Sequence, residues 1–187
     1  MKLLIASDLH GSAYYTNQVL EAFHRESAQK LLLLGDLLYH GPRNDLPRDY
    51  APKEVTARLN AMADRMFCVR GNCEAEVDQM VLDFPVMADY ALLFEQGKTI
   101  FVTHGHLFGE DHPPKLQPGD VLLTGHTHVP ACADHGFWYL NPGSASLPKE
   151  DSWHGCMTLE DGLFQWKDFD GALHMQWKLG DAAPQRF

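Results

Sequence analysis

The sequence has few positive charges and no long apolar segment. Among its 187 residues, 15 Lys and Arg stand against 25 Asp and Glu, which gives a formal net charge of −10 with His neutral. This acidic balance argues against a binding surface for duplex nucleic acid, whose phosphates require a basic patch. The longest apolar runs, such as residues 31–34, are far too short to cross a bilayer. We therefore expect neither a duplex partner nor a membrane partner.

Cysteine is also scarce, and its spacing excludes the usual paired motifs. The chain has four cysteines and no CxxC pair. A chain of this length can bury a full core without disulfides, so we expect free thiols in a reducing compartment. The apolar run at residues 3–6 is too short for a signal peptide, and Asp8 follows it closely. We therefore predict a single cytoplasmic domain over residues 1–187, with a frayed tail at 179–187.

The apolar periodicity predicts alternating strands and helices in the first half of the chain. Buried strands are expected at residues 2–7, 31–34 and 66–69. One helix is expected after the cap residue Ser12, and another begins at Pro52. This alternation favours parallel pairing of the strands through right-handed crossovers.

The second half of the chain carries the turn signals of antiparallel hairpins. Gln96-Gly97, His135-Gly136, Asp161-Gly162 and Asp170-Gly171 each separate apolar or aromatic runs. Such dipeptides favour the tight turns that match the twist of paired strands. We therefore predict a long loop at residues 105–120, another buried strand at 121–124, and in the last part of the chain a meander rather than further crossovers.

Eleven histidines are a surplus for this length, and several stand in polar clusters at predicted strand ends. In an open α/β sheet, ligands bind beyond the carboxyl ends of the strands, so clusters at these ends converge on one site. Five clusters follow or end the apolar runs. They occupy residues 8–11, 35–36, 71–74, 103–106 and 125–128.

The residue types in these clusters indicate a metal site. Asp8 and His10 are two residues apart, so both side chains leave one face of an extended segment, and His126 and His128 repeat the arrangement. Carboxylate, imidazole and amide ligands together suit Mn, Fe or Zn, and the absence of thiolates argues against a structural zinc site. Seven candidate ligands are too many for one ion and suffice for two ions that share a carboxylate. They are Asp8, His10, Asp36, Asn72, His104, His126 and His128.

The order of the clusters carries a family resemblance. Between residues 8 and 128 they read Asp-x-His, Gly-Asp, Gly-Asn-x-Glu, His-Gly-His and Gly-His-Thr-His. In this order the chain resembles the calcineurin-like metallophosphoesterase superfamily. More narrowly, residues 35–44, 70–74 and 103–109 resemble the bacterial YfcE-type phosphodiesterases. The resemblance implies an α/β fold, a four-layer αββα sandwich of two mixed β-sheets flanked by helices.

The resemblance also implies how two divalent ions share the ligands. The allocation would be Asp8, His10 and His128 for one ion, Asn72, His104 and His126 for the second, and Asp36 as the bridge. Two ions about 3.5–4 Å apart would polarise the phosphoryl oxygens and lower the pKa of a bridging water, and the resulting hydroxide would attack phosphorus in line. The resemblance favours Mn, while the ligand types leave Fe, Zn, Ni and Co open.

One position departs from the family pattern. Many relatives carry His directly after the Asn ligand, as a candidate acid for the leaving group, whereas this chain has Cys73. A thiol with a reference pKa near ~8.5 matches neutral pH less well than imidazole, so His106 is an alternative catalytic acid. A substrate with a good leaving group would need no acid, which favours diesters of acidic alcohols. Arg43 and Asn44 are candidates to contact the second ester arm, with a solvated loop as the alternative.

The residues and the resemblance together predict a metal-dependent phosphodiesterase that acts on a small phosphodiester. A phosphomonoesterase or nucleotide pyrophosphohydrolase is the alternative within the same chemistry. A non-catalytic scaffold on the same fold is the alternative from another class, and it should show eroded ligands, whereas this chain keeps all seven. Glu74 is expected to begin a helix, where a carboxylate suits the positive end of the dipole. A homo-oligomer stays open, since exposed aromatic residues of the meander could form its contact.

Overall fold

The computed structural model describes all 187 residues, which form twelve strands, three α-helices and a short 3₁₀ helix. No helix has the length and apolar character that a membrane span requires. The helices are α1 (Ala13–Arg25), α2 (Pro52–Asn60) and α3 (Glu76–Gln79). The strands are β1 (Leu3–Ala6), β2 (Lys30–Leu33), β3 (Met66–Cys68), β4 (Tyr90–Glu95), β5 (Lys98–Thr103), β6 (Val121–Leu123), β7 (Pro130–Asp134), β8 (Trp138–Pro142), β9 (Gly155–Glu160), β10 (Leu163–Asp168), β11 (Leu173–Lys178) and β12 (Gln185–Arg186).

The strands form two mixed sheets, as predicted. The first has seven strands in the order β12-β11-β10-β9-β1-β2-β3, and the second has five in the order β4-β5-β6-β8-β7. In the first sheet β1, β2 and β3 are parallel, and the remaining strands pair antiparallel. The parallel part is the half of the chain where strands and helices alternate in sequence, because a parallel pair needs a crossover connection.

Alternate residues of β1 enter two different apolar clusters, because successive side chains point to opposite faces of a sheet. Leu4 packs on the side of the helices, in a cluster that includes Phe23 of α1. Leu3 and Ile5 face the second sheet, in a cluster that includes Val102 of β5. The seven-stranded sheet is therefore a middle layer that is covered on both faces, which is why its central strands are continuous apolar runs.

The outer layers differ on the two sides of the sandwich. Helices α1 and α2 contribute buried side chains to the cluster on the seven-stranded sheet. On the outer face of the five-stranded sheet, residues 104–120 form a loop, and the ring of Phe108 lies 5.5 Å from that of Phe101. This long loop, which was predicted at 105–120, stands where a helical layer was expected.

The second half of the chain is less purely antiparallel than predicted. The four turn signals do join antiparallel strands. However, β5, β6 and β8 pair in parallel. The reason is that the loop 104–120 and strand β7 each return the chain to the same end of the sheet before the next strand begins.

The chain terminus is also more ordered than predicted. Strand β12 pairs with β11, with Arg186 opposite Met175 and Gln185 opposite Gln176. The backbone N–H of Phe187 then donates to the carbonyl of His174 at 3.0 Å. The expected frayed tail at 179–187 thus ends as the edge strand of the seven-stranded sheet, because its backbone groups find partners there.

Candidate metal centre

The strand ends bring all seven predicted ligands to one edge of the sandwich. β1, β2 and β3 of the first sheet end at this edge, and so do β5 and β6 of the second sheet. The two sheets therefore both contribute to one site. The ligands follow their strands in the order Asp8 and His10 after β1, Asp36 after β2, Asn72 after β3, His104 after β5, and His126 and His128 after β6.

One group of ligand atoms gathers around Asp8. The Nε2 atom of His128 lies 3.2 Å from Asp8 Oδ1, and the Nε2 atom of His10 lies 3.6 Å from the same oxygen. The two Nε2 atoms are 3.2 Å apart. Asp36 reaches this group through Oδ2, which lies 3.7 Å from His10 Nε2.

A second group gathers around His104. Its Nε2 atom lies 3.1 Å from Asn72 Oδ1 and 3.2 Å from His126 Nδ1. Asp36 Oδ1 lies 3.5 Å from the same Nε2 atom. The two carboxylate oxygens of Asp36 therefore face different groups, which is the arrangement that a carboxylate shared by two ions requires.

Three of the imidazoles are fixed in orientation from behind. In each, Nδ1 lies against a backbone carbonyl, which can only accept, so Nδ1 carries the proton and Nε2 keeps its lone pair. Each Nε2 lone pair points into the centre, and outer hydrogen bonds of this kind orient metal ligands in proteins. The three bonds join His10 to the Tyr39 carbonyl at 2.8 Å, His104 to Leu34 at 2.6 Å, and His128 to Leu147 at 2.6 Å.

The centre of the site holds acceptors without donors, which fits a cation. Asp8 is fully buried, and its Oδ1 atom has no hydrogen-bond partner. Burial alone would raise the pKa of Asp8, but positive charge on the imidazoles of His10 and His128 when they are protonated, a charge that a bound cation would replace, holds it well below its usual range. Burial alone would lower the pKa of His10, but the carboxylates of Asp8 and Asp36 raise it. A buried carboxylate oxygen that faces imidazole lone pairs is satisfied by a divalent ion.

The backbone at the ligands is strained. Five of the seven adopt the left-handed conformation that favours glycine, which costs on the order of 1–3 kcal/mol for each such residue. The segments that carry Asp8 and His10, and His126 and His128, are therefore not extended, contrary to the prediction. The φ angles are 59° at Asp8, 47° at His10, 57° at Asp36, 67° at His126 and 64° at His128.

The loops that carry the ligands are tied across the two sheets. The indole N–H of Trp166, on β10, donates to the carbonyl of Asn141, on β8, at 2.6 Å. The side-chain amide of Asn141 donates in turn to the carbonyl of Gly125 at 2.7 Å, directly before His126. On the other side of the centre, the hydroxyl of Ser146 donates to the Asp8 carbonyl at 2.8 Å.

Glu74 does not begin a helix, contrary to the prediction. Helix α3 starts at Glu76, and the Glu74 carboxylate is buried between two loops. It accepts from the backbone N–H groups of Asp36 at 2.8 Å, Leu37 at 2.7 Å and Gly71 at 2.5 Å. Burial and the neighbouring Asp36 raise its pKa. Buried N–H groups need acceptors, and three of them outweigh the attraction of a helix terminus.

The two candidate acids occupy different places. Cys73 lines an open cavity of about 290 Å³ over the centre, and the Asn72 amide donates to its sulfur at 3.3 Å. Burial and Asp36 raise the pKa of its thiol far above the usual range. His106 lies on the far side of His126 and lines a separate cavity of about 250 Å³. Burial and His104 lower the pKa of His106 to about 4, and its buried Nδ1 has no partner.

The two predicted substrate contacts lie on the rim of the cavity over the centre. Arg43 and Asn44 both line it, and Asn44 donates to the His40 carbonyl at 2.8 Å, which shapes the loop. A second positively charged side chain, Lys149, lies on this rim and was not identified from the sequence. Its backbone N–H donates to the His128 carbonyl at 3.1 Å. No local pattern distinguishes Lys149 from any other exposed lysine, so only the fold could reveal it.

The chain belongs to the calcineurin-like phosphoesterase superfamily. The model of that family, described as a calcineurin-like phosphoesterase superfamily domain, matches residues 1–161. The resemblance is thereby confirmed, and so is the predicted α/β sandwich of two mixed sheets, in which residues 104–120 form a loop in place of the second helical layer.

The chain is similar to particular members of this superfamily. The chain is 51% identical over 150 residues to phosphodiesterase YfcE of Escherichia coli strain K12, covering 80% of this chain and 82% of that protein. The solved structure of E. coli YfcE superposes with a TM-score of 0.92 at 43% identity, covering 96% of this chain and 100% of that one. The probable metallophosphoesterase YsnB of Bacillus subtilis is 26% identical over 182 residues, 92% of each chain.

A more distant likeness concerns the fold alone. The structure of Vps29 from Entamoeba histolytica, solved in complex with zinc, superposes with a TM-score of 0.52 at 17% identity. It covers 99% of this chain and 96% of that one.

Proposed function

We propose that this chain hydrolyses small phosphodiesters with two divalent metal ions held by the seven clustered residues. Hydrolysis of phosphodiesters by a metal-dependent enzyme follows from the family and from the 51% identity to a phosphodiesterase. The observation that supports the finer proposal is the division of the ligand atoms. Two groups of acceptors stand side by side, and the two oxygens of Asp36 face one group each.

Several residues of the chain make the site suitable for binding an anionic ester. Two divalent ions bound there would polarise the phosphoryl oxygens and lower the pKa of a water molecule. The backbone carbonyls behind His10, His104 and His128 keep three imidazoles turned inward. Arg43 and Lys149 supply positive charge on the rim of the cavity, where it attracts a phosphate despite the acidic chain. We assign to Arg43 and Asn44 the contact with the second ester arm.

The donor set limits the metal without fixing it. Four imidazoles, two carboxylates and one amide suit first-row transition metals, and such ligands accept Mn, Fe, Zn, Ni or Co. We propose Mn as the physiological ion, from the resemblance to the bacterial phosphodiesterases. The cavity over the centre, at about 290 Å³, is open on the rim and suits a small substrate rather than a duplex.

The cellular compartment and the oligomeric state of the enzyme are part of the same proposal. All four cysteines are free, which fits a reducing compartment, and we place the protein in the cytoplasm. The alternating residues Tyr90, Leu92 and Phe94 are exposed on β4, at the edge of the five-stranded sheet. An exposed apolar edge of this kind is compatible with a homo-oligomer.

Two other functions compete with this proposal. A phosphomonoesterase or pyrophosphohydrolase would use the same centre. The difference would lie in whether the cavity binds and turns over a dianionic substrate or a diester better. A non-catalytic scaffold on this fold would not need seven converging ligands, of which five hold a strained backbone. The retention of this costly arrangement favours catalysis.

Metal-stripped protein that is reloaded with single ions provides the test of function. We expect hydrolysis of a diester such as bis(4-nitrophenyl) phosphate with Mn²⁺, and rates at least ~10-fold lower toward the matching monoester 4-nitrophenyl phosphate and toward a nucleoside triphosphate. The reason is that the second ester arm, which Arg43 and Asn44 would contact, is absent from a monoester and from the terminal phosphate of a triphosphate. Rates are measured by nitrophenol or phosphate release. A higher kcat/KM for the monoester or for the pyrophosphate bond would replace the diesterase assignment with the corresponding alternative.

Replacement of Cys73 separates two accounts of the leaving group. General acid catalysis contributes on the order of 10²–10⁴-fold to a rate. Because nitrophenolate leaves without a proton, we expect Cys73→Ala to retain activity on an aryl diester to within ~3-fold. With an alkyl diester, the same variant loses activity if the Cys73 thiol is the proton donor, and His106→Gln loses it if the donor is His106. Cys132→Ala, at a buried cysteine remote from the centre, is the matched control.

A further inference from the structure

Glu74 joins the two loops that carry Asp36 and Asn72. Its Oε2 atom accepts from the N–H groups of Asp36 and Gly71, and its Oε1 atom accepts from Leu37. The carboxylate therefore holds the loop after β2 against the loop after β3. With 9% of its surface exposed, the residue is nearly closed to solvent, so water does not replace these bonds easily.

Asp36 completes the connection in the opposite direction. Its Oδ1 atom, which faces the second group of ligands, accepts from the backbone N–H of Cys73 at 2.9 Å. A carboxylate of each loop thus binds backbone N–H groups of the other. The space between the loops is full, because a side chain at Gly71 would overlap Asp36 Oδ1 and Glu74 Oε2.

No other structural role accounts for Glu74. The N-cap of α3 is Ala75, whose N–H donates to Asp78 at 2.8 Å, so the helix terminus is served without Glu74. The Glu74 side chain forms no ion pair with Lys, Arg or His. All of its hydrogen bonds go to the loops of the metal centre.

We propose that Glu74 is a positioning residue whose carboxylate sets the distance between Asp36 and Asn72, and with it the binding of the second metal ion. The inference rests on the proposed two-metal function. The second ion would take Asn72 and the Oδ1 atom of Asp36, which are the atoms that this connection holds. The first ion would take Asp8, His10 and His128 besides the Oδ2 atom of Asp36. Among these only Asp36 touches Glu74, so the first site keeps three ligands that Glu74 does not hold.

The expected effect is therefore selective for one of the two ions. In Glu74→Gln, an amide group replaces one acceptor oxygen, so at least one of the three backbone N–H groups loses its partner. Loss of an outer hydrogen bond to metal ligands typically weakens metal affinity by 10–100-fold. We expect that loss for the second ion and a change of less than ~3-fold for the first.

Calorimetric titration of the metal-free full-length protein with Mn²⁺ measures both affinities. Electron paramagnetic resonance of the same samples reports whether two Mn²⁺ ions are coupled in one centre. We expect wild type to bind two ions with a coupled signal. At a Mn²⁺ concentration that saturates only the first site, we expect Glu74→Gln to show the signal of an isolated ion. Glu74→Asp, which keeps the charge on a shorter side chain, should recover part of the second affinity. Glu76→Gln, an exposed carboxylate two residues away, is the matched control and should behave as wild type.

The outcomes separate positioning from a purely structural role. The inference is overturned if Glu74→Gln binds both ions as tightly as wild type. It is equally overturned if the variant loses both ions in parallel with a lower melting temperature of the metal-free protein, because that pattern indicates general destabilisation. Wild-type protein that binds a single ion would instead refute the two-metal proposal itself, independently of Glu74.

Discussion

Asp36→Asn is expected to abolish metal-stimulated diester hydrolysis, with a fall in kcat/KM on the order of 10³-fold or more. The reason is that Asp36 alone presents an oxygen to each of the two ligand groups, 3.7 Å from His10 Nε2 and 3.5 Å from His104 Nε2. An amide carries no charge and presents its nitrogen to one of the groups, so the variant can complete only one of them. The measurement is initial rate against Mn²⁺ concentration with bis(4-nitrophenyl) phosphate.

Two further variants make this result interpretable. His126→Ala removes a ligand from one group only and should cause a comparable loss of activity. Asp64→Asn removes an exposed carboxylate that is far from the centre and should leave the rate unchanged. If Asp36→Asn and His126→Ala both kept wild-type rates, the catalytic interpretation of the whole site would fail.

Removal of metal is expected to lower the melting temperature substantially. Without a cation, Asp8 and Asp36 are buried carboxylates beside imidazole lone pairs, and the folded state carries that cost. An ion present at 100 times its Kd stabilises the folded state by about 2.7 kcal/mol. For a chain of this size, each kcal/mol corresponds to a shift of about 2–4 °C. We therefore expect saturating Mn²⁺ to raise the melting temperature by roughly 5–10 °C for one ion, and by more for two.

Differential scanning calorimetry of chelator-treated and reloaded protein checks this expectation. The shift should depend on the Mn²⁺ concentration, as binding to the folded state alone requires. Asp36→Asn supplies the comparison, because it should show a smaller shift at the same Mn²⁺ concentration. An identical melting temperature with and without divalent ions would show that the seven residues hold no metal in the folded protein.

The ligand set could be predicted from the sequence because each ligand directly follows a short apolar run. Such runs form buried strands, and the carboxyl ends of parallel strands meet at one edge of a sheet. Asp8 and Asp36 illustrate the point, since both follow strands of the parallel half of the first sheet. The order of the clusters then supplied the family. The structure brings the predicted ligands together, and their roles as ligands stay a prediction.

The role of Glu74 could not be predicted in the same way. The rule that places a carboxylate at a helix start is local, and α3 begins only two residues later. The N–H groups that Glu74 accepts from belong to Asp36, Leu37 and Gly71, and two of these lie more than 30 residues away in the chain. Long-range hydrogen bonds of this kind have no signature in residue spacing.

The pairing of the second sheet was hidden for a related reason. The turn signals predict which strands form hairpins, but they contain no information about the strands on either side of a hairpin. The parallel pairing of β5, β6 and β8 depends on the end of the sheet to which the loop 104–120 returns the chain, and tertiary packing determines that end. The strained φ angles of His126 and His128 were equally invisible, since nothing in their sequence distinguishes them from residues on a regular strand.

The buried indole of Trp166 connects the interior of the sandwich to the residues of the metal centre. It is fully buried between the layers, yet its N–H bonds the Asn141 carbonyl, and the Asn141 side chain holds the peptide before His126. Because some of the predicted ligands follow strands of one sheet and some follow strands of the other, a displacement of one sheet against the other would change the distance between the two groups of ligand atoms. Tuning of reactivity in this enzyme can therefore begin with apolar residues that never meet substrate, and directed evolution of new ester preferences should sample the buried seam as well as the rim.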